Sequence, residues 1–118
     1  MGLSINTLLD SNEGTTIQIT GTLLDENGDA VADGNINKVT IAIYDYNTET
    51  VMRAEDELSP SSGVVTTWLT KDEVRIINTA LEYEYRHIVM VADYGGTKRV
   101  VEEAYIKIDN VGNYVVSA

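Results

Sequence analysis

Cysteine is absent from the 118 residues, which excludes disulfide bridges, thiolate zinc sites and a cysteine nucleophile and is compatible with a reducing compartment. There is one histidine, His87, so no paired-imidazole metal site can be built. Phenylalanine is missing and proline occurs once, at Pro60. No apolar run approaches the ~18 residues needed to cross a bilayer. Residues 1–6 lack a basic segment followed by a sustained apolar stretch, which argues against a secretory signal. Thr7 lies one residue beyond the myristoylation spacing from Gly2. The expectation is a soluble protein made without a leader. Walker loops, dinucleotide fingerprints, nucleophile elbows and zinc signatures are all missing, so we expect no enzyme activity.

Positive charge is also scarce. Lys and Arg number 8 against 19 Asp and Glu, a net charge of −11. No cation precedes Lys38, so Asp10, Glu13, Asp25, Glu26, Asp29 and Asp33 stand unopposed in sequence. Such a field repels nucleic-acid phosphates and anionic membranes. It fits a self-repelling, soluble surface, a basic protein partner or a divalent cation.

What is present reads as strand. Runs over 81–92 and 97–108 flank Asp93-Tyr94-Gly95-Gly96. Leu81, Tyr83, Tyr85, Val89 and Val91 share one face of the first run, taken as the inward one. Val100, Ala104, Ile106 and Ile108 share a face of the second, opposite Arg99, Glu103 and Lys107. This period-two pattern closed by a Gly-rich turn predicts a half-buried hairpin. Further strands are predicted over 15–24 (Ile17, Ile19 and Leu23 inward), 38–45 (Val39, Ile41 and Ile43 inward), 49–54 and 63–69. A last short strand is predicted over 114–116. Residues 55–62 read as an exposed acidic connection, and Trp68 as a possible core anchor. Thr70 and Glu73 stand at capping-box spacing, which predicts one or two helical turns over 71–79. Residues 1–14 read as an arm, frayed or ordered only on a neighbour. The fold class is therefore all-β: an immunoglobulin-like antiparallel β-sandwich of six to seven strands with one short helix. It comprises an arm (1–14) and a single domain (15–118).

Four constellations could carry chemistry. Asp25, Asn27 and Asp29 have the alternate spacing of calcium ligands, but an EF-hand fails because Ala30 and Ile36 occupy its glycine and bidentate-glutamate positions. A looser calcium loop that adds Asp33 stays open beside the favoured reading, a tight Asn27-Gly28 turn with solvated acids. No other cofactor is expected. His87 shares a face with Tyr83, Tyr85 and Val89, as a packed or edge residue or as a pH-sensitive interface contact. Glu82, Glu84, Glu102 and Glu103 suggest cross-strand pairing with Arg86, Lys98 or Arg99 rather than an acid–base pair. Of the 7 tyrosines, Tyr46 and Tyr94 fall at or beside turns, where packing does not demand them. They are the candidate interface residues.

The segment Gly21-Thr22-Leu23-Leu24-Asp25-Glu26-Asn27-Gly28-Asp29-Ala30-Val31 resembles the strand–turn–strand opening of bacterial and viral Ig-like modules. The stretch from Trp68-Leu69-Thr70 to Tyr83 and Tyr85, followed by Asp93-Tyr94-Gly95-Gly96, is similar to small β-sandwich structural proteins of tailed bacteriophages, such as baseplate adaptor domains and head or neck accessory proteins. The acidic 55–57 loop and the expected helix depart from that pattern. The resemblance implies a non-enzymatic virion assembly protein. It would contact capsid, neck or tail subunits, act as a homo-oligomer or part of a larger assembly, and bind neither nucleic acid nor membrane. The alternative is an Ig-like binding module of a bacterial surface protein, calcium-stabilised at Asp25–Asp33, that recognises a carbohydrate or protein.

Overall fold

A computed structural model describes residues 2–111, which form eight strands in two facing sheets. The strands are β1 (Gly2–Asn6), β2 (Asp10–Asn12), β3 (Ile17–Leu24), β4 (Ile36–Asp45), β5 (Val51–Leu58), β6 (Val64–Leu69), β7 (Tyr83–Tyr94) and β8 (Lys98–Asp109). One sheet has the order β1-β3-β6 and the other β2-β8-β7-β4-β5. All pairings are antiparallel except β2 on β8. The expected 114–116 strand lies outside the described residues.

The inward faces of the two sheets make one core, because alternate residues of each strand point to the same side. Ile17, Ile19, Leu23, Val65 and Leu69 come from the smaller sheet; Val39, Ile41, Ile43, Ile88, Met90, Ala92, Ile106 and Ile108 come from the larger. Gly21 takes an inward position on β3 because a Cβ there would lie 2.3 Å from Met90 Sδ. At the hairpin tip, Gly95 and Gly96 adopt φ of 59° and 83°, the left-handed conformations glycine tolerates best.

Several expectations need correction. The period of β7 is as expected but its facing is reversed: Glu84, Arg86, Ile88, Met90, Ala92 and Tyr94 are buried, while Tyr83, Tyr85, Val89 and Val91 look outward. Both faces carry apolar residues, so β7's own pattern did not choose between them. Residues 2–6 and 10–12 are no arm. They pair with β3 and β8, and Leu3 is in the core. Trp68 points away from the core, on the face opposite Val65 and Leu69, and is 52% exposed. Glu55, Asp56 and Glu57 extend β5 instead of leaving it, since an edge strand keeps one side in water and tolerates acids.

The 71–79 helix is not formed, although its capping box is. The Thr70 N–H donates to Glu73 Oε1 (2.8 Å), and the Glu73 N–H donates to Thr70 Oγ1 (3.3 Å). The chain then turns Val74 and Ile76 into the core at a two-residue spacing. Arg86 takes the carbonyls of Glu73 and Arg75, which a continuing helix would need. The sole helical piece among the described residues is a 3-10 turn at Asp33–Asn35.

Candidate functional site

One end of the larger sheet is built on a buried ion cluster. Arg86, with no exposed surface, donates from Nη1 to Asp45 Oδ1 and Glu84 Oε1, both at 3.0 Å. It also donates from Nε to the Glu73 carbonyl (2.8 Å) and from Nη2 to that of Arg75. Glu84 accepts the N–H groups of Ile77 (3.0 Å) and Asn78 (2.8 Å). Asp45 turns its second oxygen to the Thr48 N–H (3.0 Å) and hydroxyl (2.7 Å). Buried charges need counter-charge and hydrogen bonds together, and these have both. The cluster thereby fastens the loop between β6 and β7 from below and the β4–β5 turn from above. Neighbouring Arg53 grips Glu73 with Nε and Nη2 at 2.7 and 2.6 Å and reaches Trp68 O of the other sheet at 2.7 Å.

The turn so fixed presents Tyr46 and Glu49 beside an aromatic ladder. Tyr44, His87 and Tyr105 are direct partners across β4, β7 and β8, so their rings share the outer face. His87 stacks on Tyr105 with centroids 4.6 Å apart and planes at 4°, and Tyr44 lies 6.1 Å from His87 on the β4 side. Tyr46 meets Tyr105 edge-on at 5.5 Å and His87 at 6.4 Å. The imidazole Nε2 is hydrogen-bonded to Glu103 Oε2 at 2.6 Å, which fixes the ring in the stack. Partial burial, then the charge of Glu103, holds the Tyr105 phenol above its ordinary pKa.

Tyr44, Asp45, Tyr46, Glu49 and His87 line a shallow cleft of about 380 Å³, with no Lys or Arg in its wall among the described residues. Glu49 holds φ of 59°. That left-handed conformation costs a residue other than glycine about 1 kcal/mol. The face continues past the cleft through Tyr83, which packs edge-on to Tyr85 at 5.6 Å and beneath the Lys107 ammonium at 4.7 Å. Tyr46, Val51, Tyr83, Val101 and Tyr105 are each at least 40% exposed, so this face carries most of the exposed large apolar side chains among the described residues.

Of the two interface candidates, Tyr46 sits in this site at 54% exposure. Tyr94 does not: it shares the parity of Ile88 and Met90 and is buried at 3% exposure, so core packing does require it. His87 and Glu103, taken singly from sequence, are brought together. Glu84 and Arg86, expected in outward cross-strand pairs, lie in the interior with Asp45. Asp45 was missed, because its partner is 41 residues away.

The calcium candidates do not converge. Asp25 Oδ1 accepts the N–H groups of Asn27 (2.8 Å) and Asp29 (3.0 Å) within its own turn. Asp33 accepts from Ser62 (2.9 Å) and Gly63 (3.0 Å) across a loop, and those bonds, Gly63's first, lower its pKa. Among the described residues, no group of three or more His, Cys, Asp or Glu is placed to hold a metal ion. The acidic turn is tied instead to the hairpin tip by Lys98 and Glu26, 2.9 Å apart.

No family model matches the chain, and no curated protein matches it in sequence. Among solved structures, a superoxide reductase (neelaredoxin) from Ignicoccus hospitalis is similar over 92% of this chain and 80% of its own, with a TM-score of 0.55 and 9% identity. Murine CRIg is similar over 93% of this chain and 98% of its own, with a TM-score of 0.54 and 8% identity. At such identities the likeness is one of fold. The chain is an immunoglobulin-like β-sandwich, all-β as its pattern predicts.

Proposed function

We propose that this domain is a non-enzymatic contact module that docks a protein partner on the outer face of its larger sheet, centred on Tyr44, Tyr46, His87 and Tyr105. The observation that carries this reading is the exposed, mutually packed aromatic ladder on a rigid sheet. Monomeric surfaces scatter large apolar side chains singly, and a contiguous group marks an interaction site. Tyrosine suits that task because it contributes area with little rotamer entropy to lose. The partner's matching surface is basic, since the chain's net charge is −11 and like charge across an interface costs affinity.

The test pairs the purified domain with proteins recovered on it from its source and measures each pair by calorimetry. Tyr46→Ser with Tyr105→Ser should weaken a true pair at least tenfold while the melting temperature stays near that of the parent. Unchanged affinity in that variant refutes the assignment of the face. The narrower reading, a head, neck or tail subunit of a phage particle, draws support from the strand-and-turn resemblance described above. Portal, capsid or tail genes beside the coding sequence would support it, and a neighbourhood without them removes it.

A further inference from the structure

We infer that the cleft beneath Tyr46 is a cation pocket that receives an arginine side chain of the partner, an inference resting on the contact-module reading and naming the chemistry at its centre. Three observations converge on it. Tyr44, Tyr46 and His87 give the lining its rings, and Glu49 adds a carboxylate. Ring faces carry negative potential, so aromatic walls with a carboxylate beside them attract a cation and guide a planar guanidinium into stacking.

The second observation is that, among the described residues, no Lys or Arg lines this cleft. Six of the protein's positive side chains pair with acids outside the cleft: Lys38 with Glu55, Arg53 with Glu73, Arg75 with Asp72, Lys98 with Glu26, Arg99 with Asp93 and Lys107 with Asp109, while Arg86 pairs from the interior with Glu84 and with the cleft's own Asp45. The cleft's lining holds none of them. Asp45 lines the floor, but its oxygens are taken by Arg86 and Thr48. Glu49 is the lining carboxylate left to face a ligand.

The third is the backbone of Glu49. A tight turn at φ of 59° is where glycine or asparagine is the easier choice. Such residues cluster at ligand sites, and of the two non-glycine residues with positive φ among those described, Glu49 and Ser62 (54°), Glu49 is the one that lines the cleft. Arginine is favoured over lysine because its flat, weakly hydrated head stacks on rings and can fork onto a carboxylate.

The experiment titrates ¹⁵N-labelled domain with N-acetyl-argininamide and, separately, with N-acetyl-citrullinamide, the uncharged isostere, and follows amide shifts. Saturable shifts confined to residues 44–50 and 87, with citrulline weaker by about tenfold, are expected. Glu49→Gln and Tyr46→Ala should each weaken argininamide severalfold, and Trp68→Ala on the other sheet should not. Glu49→Gly separates role from fold: it should weaken binding while raising the melting temperature, because it relieves the left-handed residue. Equal binding of the two amides, or shifts centred elsewhere, overturns the cation pocket. If the pocket fails while partner affinity still depends on Tyr46 and Tyr105, the contact face stands without it. If both fail, the contact reading falls as well.

Discussion

Replacing Arg86 by methionine tests whether the ion cluster holds this end of the sandwich together. Methionine fills much of the volume but removes every donor. Asp45 and Glu84, at 1% and 2% side-chain exposure, then face each other without a counter-charge. The carbonyls of Glu73 and Arg75 also lose the guanidinium they accept from. Breaking a buried ion pair from one side costs about 3–5 kcal/mol, out of a total of about 5–15 kcal/mol for a domain. In urea the midpoint should fall by roughly 2–3 M at a slope near 1.5 kcal/mol/M.

Glu84→Gln supplies the second arm of a cycle. With one carboxylate neutral, Arg86→Met strands less charge, so the double variant should lose less than the sum of the singles by about 1–3 kcal/mol. Hydrogen exchange gives the local reading. The amides of Ile77 and Asn78, held by Glu84, and of Thr48, held by Asp45, should lose protection first. A loss below about 1 kcal/mol for Arg86→Met, or effects that add within about 0.5 kcal/mol, would refute the argument that these charges depend on one another.

Two further predictions concern the sheets and the loops. Gly21→Ala should destabilise by about 1–3 kcal/mol, because its Cβ would lie 2.3 Å from Met90 Sδ and 3.1 Å from Val65 Cγ2. The penalty should shrink in a Met90→Ala background, and an equal penalty in both backgrounds, read from urea midpoints, speaks against that contact. Asp33→Asn should lower the melting temperature at neutral pH and flatten its dependence on acid. The Asp33 carboxyl has a folded pKa below its unfolded one. Its contribution is therefore complete above about pH 4 and is lost as pH falls through the folded value. Asp93 and Glu26, lowered by Arg99 and Lys98, act in the same window, so the slope is reduced and not abolished. Parallel curves for parent and variant would count against the Asp33 clip.

Local chemistry was legible in the sequence wherever it depended on near neighbours. The inward residues of β3 and β4, the hairpin tip and the Thr70–Glu73 capping box all belong to patterns a few residues long. The candidate site was legible only in pieces. Tyr46 stood out as a turn aromatic and His87 as a lone imidazole, but their meeting with Tyr44 and Tyr105 needs the register of three strands.

The sequence by itself determined that this chain makes alternating strands with a sandwich's worth of aliphatic residues, that no thiol or imidazole pair serves it, and that its surface is acidic. Tertiary structure decided which way β7 faces. Ile88, Met90 and Ala92 compete there with Tyr83, Tyr85, Val89 and Val91, and a period of two treats both sets alike. The contest was settled from outside the strand: Ile43 lies opposite Ile88, Ile41 opposite Met90, and Ile106 opposite Arg86. Asp45 made it possible for Arg86 and Glu84 to go inward with them. Turning β7 that way put Tyr83, Tyr85 and His87 on the outer face, and so placed the proposed contact face where the hairpin had first read as core.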